Sequence, residues 1–434
     1  MGSDPAITAL FAATLVAHDM ALPVGSLALL DGETSAAKPR KSALGRVVSI
    51  GMSRSYLDAV SGQPMHPQAR AVLDGFADRA WADPDLLHHE GRVAAQIRQA
   101  ARETVAAALK VPPQTVSFHP SIGLAELAIG GAICARQTAG YKNPPVVLSQ
   151  VERSTVRHAA TGVSDSHEVT QVSVQATGAL RVEEFRDAIT ERENLGVVAA
   201  VQAANTELAT AQPLAEVIEI CRGKQVPLVT DATGTLGLRP VADGWSILFA
   251  DALTWAGPVG VGILVVADPA AWRNPFSAPG ADASTTPADT ADVLQSAGAA
   301  AALDAVAREM PDVAINLRGL VARIRREVPR AIPDVDVLGD PEDRLPHIVT
   351  FSCLYADGER LASELDRRGI AVGSGSACAS SVGLPSHVLA AVGALTHGNV
   401  RVSLPLTATD ADVDHLLAEL PAAVAAVRSD AGIQ

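Results

Sequence analysis

The sequence is short of lysine and of basic runs, which excludes one large class of partners. Its 434 residues contain 34 lysines and arginines against 48 aspartates and glutamates, so the formal net charge is −14. A nucleic-acid-binding surface needs a clustered basic face. The longest basic run, RIRRE at residues 323–327, is typical of a solvated helix face. We therefore expect no nucleic-acid partner.

Cysteines are equally few, and they are far apart. The four are Cys134, Cys221, Cys353 and Cys378. Zinc sites and disulfide frameworks use cysteines at short, regular spacings, so we expect no metal and a reducing, cytoplasmic location. The apolar N-terminal stretch has no basic start, and His18 and Asp19 interrupt it before membrane-spanning length is reached. We expect no membrane association.

Aromatic residues make up only 3% of the chain and hydrophobic residues 48%, so the core must consist mainly of Ala, Val, Leu and Ile. From about residue 56, short apolar runs alternate with helical segments of about a dozen residues. This alternation predicts βαβ units and a mostly parallel sheet. The runs are PVVLSQ, EVTQVSV, GVVAAVQAA, VPLVTDA, SILFADAL and VGILVVA.

A break rich in Pro, Ala and Thr occupies residues 274–290, and a long helix follows it. After that helix, IVTFSCLY, IAVGSG and NVRVSL predict the strands of a smaller α+β domain. We expect an N-terminal extension or linker at 1–50, a large domain at 51–310 and a small C-terminal domain at 311–434.

Polar residues follow three predicted strands at the points where those strands end, in QAANTE, TDATG and ADALTWAGP. Ligands of open α/β sheets collect at the carboxyl ends of the strands. The three segments together therefore predict a ligand site at one edge of the sheet.

These segments together resemble the cysteine desulfurases, in the class V aminotransferase group of fold-type I pyridoxal-phosphate (PLP) enzymes. The resemblance covers about residues 56–427. Its most specific element is VGSGSACASSVGLPSHVLAAVG at 372–393, which is similar to the loop whose cysteine attacks the substrate sulfur, here Cys378. NVRVSL resembles the strand whose arginine, here Arg401, holds the substrate carboxylate. The resemblance implies a fold-type I PLP-transferase fold and a homodimer.

The residues that the resemblance assigns to the cofactor pocket match the family at some positions and differ from it at others. NTELATAQP is similar to an Asn-Asn-Glu segment and implies that Asn205 lies beside the cofactor ring, with Gln212 further on. VTDATG aligns Asp231 with the aspartate that pairs with the pyridine nitrogen. The departures are Thr254 for the imine lysine, Leu253 for its flanking histidine, Asp251 for a phosphate-binding serine and Arg153 for the ring-stacking histidine.

These departures predict a degenerate cofactor pocket. A hydroxyl forms no stable imine and is not basic near neutral pH, so Thr254 cannot replace lysine. Asp251 would face the cofactor phosphate, and each pair of like charges costs roughly 4 kcal/mol at about 4 Å and an effective dielectric near 20. We therefore expect no cofactor. We also expect Arg153 to fill the vacated space and pair with Asp231.

Three functions follow from this pattern. In the first, Cys378 accepts and carries persulfide sulfur without Schiff-base catalysis. In the second, the chain is a non-catalytic scaffold or regulatory pseudoenzyme that partners a sulfur-transfer system. In the third, it is a PLP-dependent cysteine desulfurase or lyase with an unusual, lysine-free cofactor mode. We rank the first slightly ahead of the second, and expect a sulfur-donor or sulfur-acceptor protein as a partner.

Overall fold

The computed structural model describes residues 54–162, 168–277, 285–374, 386–430 and 432. The extension predicted at residues 1–50 lies outside them, and so does Cys378. The strands are β1 (Ser55–Leu57), β2 (Val116–Pro120), β3 (Val146–Ser149), β4 (Val169–Val172), β5 (Val198–Ala200), β6 (Leu228–Asp231), β7 (Ile247–Asp251), β8 (Val261–Val266), β9 (Val335–Val337), β10 (Ile348–Cys353), β11 (Ile370–Val372) and β12 (Asn399–Ser403).

The helices alternate with these strands along most of the chain. They are α1 (Pro67–Phe76), α2 (His89–Leu109), α3 (Leu124–Thr138), α4 (Ser154–Gly162), α5 (Val182–Arg192), α6 (Leu214–Gly223), α7 (Val293–Ala331), α8 (Gly358–Arg367), α9 (His387–Ala391) and α10 (Asp410–Asp430). None of the helices in the described ranges has both the length and the apolar character needed to cross a bilayer.

A seven-stranded sheet with the order β2-β8-β7-β6-β5-β3-β4 forms the centre of the fold. Strands β3 to β7 pair in parallel, whereas β8 runs antiparallel to both β2 and β7. The predicted α/β class with a mostly parallel sheet is confirmed. Strand β2, VSFHP, was not among the predicted runs.

The sheet is buried on both faces because helices cover each side. Along β8, Ile263 and Val265 enter one hydrophobic core, and Leu264 and Val266 enter the other. Successive side chains of a strand point to opposite faces, so an uninterrupted apolar run is what a doubly covered sheet requires.

A second, smaller β structure carries the C-terminal strands. Strand β10 lies between β12 and β9 with antiparallel pairing, and β1 pairs in parallel with β11. Helix α7 contributes to two cores: Leu303 packs in the large one, while Leu317 and Ile324 pack with β10 and β12. The predicted domain boundary at 310/311 falls inside this helix, at Pro311, and the three predicted domains remain a prediction.

Candidate functional site

A cavity of about 270 Å³ lies where the carboxyl ends of the central strands meet strand β12 of the smaller sheet. Its wall includes three residues that the sequence indicated, Arg153, Asn205 and Arg401, together with Glu207 and Ser386. The location agrees with the edge at which open α/β sheets bind ligands.

On the side of β6, Arg153 and Asp231 form an ion pair. The Nε of Arg153 lies 2.6 Å from Oδ2 of Asp231, and its Nη2 donates to the Thr233 hydroxyl at 3.3 Å. The other carboxylate oxygen of Asp231 accepts the backbone N–H of Thr233 at 2.9 Å. Because the Asp231 side chain is only 2% exposed, this pairing satisfies a charge that would otherwise be buried alone. The predicted Arg153–Asp231 contact is present.

Thr254 lies in a short 3₁₀ turn, Ala252–Trp255, that follows β7. Its hydroxyl donates to the carbonyl of Asp251 at 2.9 Å and accepts the N–H of Gly234 at 3.1 Å. The residue is buried, and both bonds are to the backbone. At this position, which the resemblance assigns to a lysine, the side chain thus serves the local fold.

Asp251 and Leu253 complete this end of the site. The Asp251 carboxylate accepts the N–H of Leu253 at 3.0 Å and a hydrogen bond from the Ser121 hydroxyl. Burial raises the pKa of Asp251, while these hydrogen bonds and the charge of Arg153 act in the opposite direction. A methyl group of Leu253 lies 3.4 Å from where a Cβ would stand on Gly62, so the leucine packs against the loop between β1 and α1.

On the side of β12, Arg401 is held by the segment that follows β1. Its Nη2 donates to Oδ1 of Asp58 and to the hydroxyl of Ser61, both at 3.0 Å. Arg401 is 2% exposed, and its backbone exchanges two hydrogen bonds with Gly373. Those two bonds attach the end of β11, just before the cysteine segment, to the wall of the cavity.

Glu207 is a member of the site that the sequence analysis did not identify. It is 9% exposed, its carboxylate accepts a hydrogen bond from the Ser386 hydroxyl, and burial raises its pKa to about 7, while the charge of Arg401 lowers it. The only sequence signal was its place in NTELATAQP, immediately after a strand end. A second buried glutamate, Glu152, also has a raised pKa through burial, and the N–H of Gln202 lies 3.0 and 3.1 Å from its two oxygens.

Asn205 and Gln212 have mainly architectural contacts. Asn205 accepts the N–H groups of Glu207 and Leu208 at 2.9 and 2.7 Å, and so shapes the loop that carries Glu207. Gln212 accepts the N–H of Leu180 at 3.0 Å and donates to the carbonyl of Gly178 at 3.0 Å. The structure does not bring Gln212 to the cavity wall.

The three cysteines that the structure describes lie away from this cavity. Burial raises the pKa of Cys221 to about 12 and that of Cys353 to about 11. The Sγ of Cys134 lies 3.9 Å from the Asn274 carbonyl. Cys378, the predicted nucleophile, lies outside the described residues, in the segment that joins Ser374 to Ser386.

The fold is that of fold-type I PLP enzymes. A solved NifS-like protein superposes with a TM-score of 0.76 at 22% identity, covering 86% of this chain and 100% of that one. The apo structure of a cysteine desulfurase from Thermococcus onnurineus NA1 gives a TM-score of 0.73 at 17% identity, covering 86% and 95%. Both show the fold alone.

The aminotransferase class-V family matches residues 76–416, and the chain belongs to that family. An IscS-like cysteine desulfurase from Mycobacterium tuberculosis is 32% identical over 385 residues, which is 86% of this chain and 97% of the relative. The cysteine desulfurase IscS of Dictyoglomus turgidum is 29% identical over 372 residues, or 83% and 92%. The predicted cysteine desulfurase-like character is confirmed at this level.

The comparisons correct one prediction. Class V aminotransferases and cysteine desulfurases are PLP-dependent, so PLP is the expected cofactor, and the expectation of no cofactor is wrong. That expectation gave too much weight to the missing lysine. Losing the lysine removes one covalent bond, whereas the other contacts of a cofactor pocket are non-covalent.

The residues present do not fit a PLP molecule that is bound through an imine at position 254. The side chain there is a hydroxyl engaged in two backbone hydrogen bonds. The carboxylate expected to face the pyridine nitrogen, that of Asp231, is paired with Arg153.

Proposed function

We propose that the chain is a cysteine desulfurase-like protein that accepts and carries sulfur as a persulfide on Cys378, without Schiff-base chemistry at position 254. The observation that carries the proposal is the hydrogen bonding of Thr254. Its hydroxyl donates to the Asp251 carbonyl and accepts the Gly234 N–H. A hydroxyl supplies neither the imine nor the base that a desulfurase requires at this point.

The sulfur-transfer step needs no oxidant or reductant. The Cys378 thiolate attacks the outer sulfur of a donor persulfide, a new S–S bond forms at Cys378, and the donor leaves as a thiolate. The sulfane sulfur changes carrier with no net redox change. A cysteine in a sequence segment rich in Gly and Ser suits such an exchange.

Two of the other described thiols, Cys221 and Cys353, are poor alternatives to Cys378. A raised pKa keeps Cys221 and Cys353 protonated at neutral pH, and a thiol is a poor nucleophile compared with a thiolate. Both ends of the cysteine segment also belong to the cavity region: Gly373 pairs with Arg401, and Ser386 forms part of the wall.

The proposal includes the partners that sulfur transfer requires. A carrier needs a donor and an acceptor, so we expect contact with a sulfur-donor or sulfur-acceptor protein. We also expect a homodimer, as the family resemblance implies.

The test is mass spectrometry of the purified protein after exposure to a low-molecular-weight persulfide. We expect one added sulfur atom, located on Cys378, and its complete loss in Cys378→Ser. Cys134→Ser is the matched control and should retain the label, because Cys134 is not part of the cavity wall. Labelling that survives in Cys378→Ser would overturn the proposal. An effect on a partner desulfurase that survives this substitution would instead indicate the scaffold role.

A second function is favoured by the family comparisons, in which PLP-dependent desulfurases align with 83–86% of the chain. In that function, the protein desulfurates L-cysteine with PLP bound in a lysine-free mode. Alanine formation from L-cysteine, measured with added PLP, distinguishes the two. The carrier proposal predicts no turnover, and multiple turnovers would replace it with the desulfurase function.

A further inference from the structure

A pocket of about 580 Å³ lies at the edge of the central sheet opposite to the candidate site, and we call it the arginine pocket. Its wall includes Leu228, the first residue of β6, Ser246, immediately before β7, and Ala267, immediately after β8. The parallel strands begin at this edge, whereas the candidate site lies where they end. None of the described residues assigned above to the cofactor or to the substrate belongs to this wall.

Two arginines of the wall give the pocket its name, and each lies in the last turn of a helix. Arg136 is at the end of α3 and Arg222 at the end of α6. Neither forms an ion pair with an acid in the described part of the chain. Among the described residues of the wall, Asp268 is the one acid, and its carboxylate already accepts the N–H of Ala270 at 2.9 Å. The wall therefore has a net positive charge, in a chain whose formal net charge is −14.

The guanidinium of Arg136 is held in place but is incompletely hydrogen-bonded. Its Nη2 donates to the carbonyl of Gln225, and its central carbon lies 5.9 Å from the centroid of the Tyr141 ring. Its buried Nε has no hydrogen-bond partner among the described residues. Burial lowers the pKa of Arg136, while the charges of Tyr141 and Asp268 act in the opposite direction. A partly buried cation in this state gains from an anion placed beside it.

The ends of α3 and α6 do not need these arginines as caps. At both ends, the backbone N–H of the capping residue, Ala139 or Lys224, already bonds carbonyls of the last turn. The Nη2 of Arg222 instead lies 2.8 Å from where a Cβ would stand on Gly244. The glycine at position 244 thus leaves room for the guanidinium in its present place beside the pocket.

The charge and the size of the pocket together indicate the class of ligand. Two guanidinium groups suit a dianion, and a phosphate monoester carries a charge of about −1.5 to −2 at neutral pH. The planar fork of arginine also matches two phosphate oxygens at once. The volume of about 580 Å³ falls within the range of roughly 300–1,000 Å³ that is typical of small-molecule sites. Alanines, Val226 and Pro227 in the wall provide an apolar surface for the rest of such a molecule.

We infer that the arginine pocket is a second binding site, which takes a small organic phosphate monoester with its phosphate facing Arg136 and Arg222. The inference does not depend on the proposed function, because the pocket lies at the other edge of the sheet and Cys378 takes no part in the binding.

The experiment is isothermal titration calorimetry of the full chain with ribose 5-phosphate, inorganic phosphate and ribose. We expect ribose 5-phosphate to bind, inorganic phosphate to bind more weakly and ribose not to bind. Arg136→Gln and Arg222→Gln should each weaken the binding of ribose 5-phosphate at least tenfold, typical of a lost hydrogen bond to a charged group. Arg330→Gln is the matched control and should bind like the parent, because Arg330 also lies in the last turn of a helix but not in the pocket wall.

A pair of variants at Ala139 tests the charge of the pocket without removing an arginine. Ala139 forms part of the wall and is exposed, so a substitution there leaves the hydrophobic core intact. Ala139→Glu should abolish the binding of ribose 5-phosphate, because the new carboxylate repels the phosphate and pairs with the arginines. Ala139→Gln, of the same size, should retain binding. Equal affinities of these two variants, equal affinities of Arg136→Gln and Arg330→Gln, or no binding of either phosphate by the parent protein would overturn the inference.

Discussion

The two ends of the cavity satisfy their charged groups in different ways. At the end formed by β6 and β7, the chain pairs its own groups: Arg153 with Asp231, and the Thr254 hydroxyl with two backbone groups. At the end next to β12, Arg401 is held by Asp58, while Glu207 has one buried oxygen with no partner in the described chain.

This difference indicates where a ligand is needed. We call the end formed by β6 and β7 the closed end and the end next to β12 the open end. The closed end is stable with no ligand, because its buried charges already have partners. An end with an open buried acceptor gains from a donor that arrives with the ligand. The departures that the resemblance implies, at residues 153, 251, 253 and 254, lie at the closed end, and Arg401, which the resemblance assigns to the substrate carboxylate, lies at the open one. The predictions below test this contrast in order of expected size.

Removing Arg153 should have the largest effect. In Arg153→Met the carboxylate of Asp231, 2% exposed, loses its ion pair, and breaking one partner of a buried pair costs about 3–5 kcal/mol of unfolding free energy. Urea denaturation measures the loss.

Two further variants control this measurement. Arg239 is exposed to a similar extent, 29% against 30%, but its partner Asp343 is 65% exposed, so Arg239→Met should cost at most about 1 kcal/mol. Adding Asp231→Asn to Arg153→Met should recover most of the stability, because the unpaired charge is gone. Equal losses for Arg153→Met and Arg239→Met would show that the closed end does not depend on this pair.

The sequence predicted most strands of the central sheet because they are apolar runs between amphipathic helices. Strand β2 was not predicted, because VSFHP is no apolar run, ends in proline and buries two polar side chains, Ser117 and His119. In the folded protein its polar members bond each other: the His119 ring lies 2.8 Å from the Ser117 hydroxyl and 2.9 Å from that of Thr290. That last contact joins residues 171 positions apart and has no local signature.

Contacts within the site could be predicted where the residue types alone, such as an acid and a base, indicate the interaction. The Arg153–Asp231 pair could be inferred, because a buried acid needs a base and the alignment supplied one. Glu207 could not be inferred, since its importance comes from burial and from which of its oxygens has a partner. Gln212 was assigned to the pocket by resemblance, whereas its amide holds the loop at residues 178–180.

A substitution at the open end should change the pH dependence of stability. The pKa of Glu207 is raised from 4.5 to about 7 by burial, so the unfolded chain releases this proton at a lower pH than the folded one. Folding stability is therefore complete below about pH 4.5 and declines as the pH rises towards about 7. Glu207→Gln removes the decline and should be more stable by about 3 kcal/mol at about pH 8.

Urea midpoints of the two proteins at about pH 8 and about pH 4 measure this effect. The difference should vanish at the lower pH, where Glu207 is protonated in both folded and unfolded states. Glu342→Gln, at an exposed position, should match the parent at both values. A variant that is less stable than the parent at the higher pH would show that the ionised carboxylate has a donor after all, and the contrast between the two ends would fail.

The smallest effect is expected from the Thr254 hydroxyl. Thr254→Val retains the shape of the side chain but leaves the N–H of Gly234 and the carbonyl of Asp251 without these partners. A buried group left unsatisfied costs about 1–3 kcal/mol, and we expect the lower part of that range, since the 3₁₀ turn retains its Asp251–Leu253 hydrogen bond. Thr254→Ser, which keeps the hydroxyl, should lose less unfolding free energy, and urea denaturation of both variants measures the difference.

An unchanged unfolding free energy in Thr254→Val would mean that water reaches these backbone groups. The end that lacks the lysine would then be open in the same sense as the end that contains Glu207, and both ends would be available to a ligand.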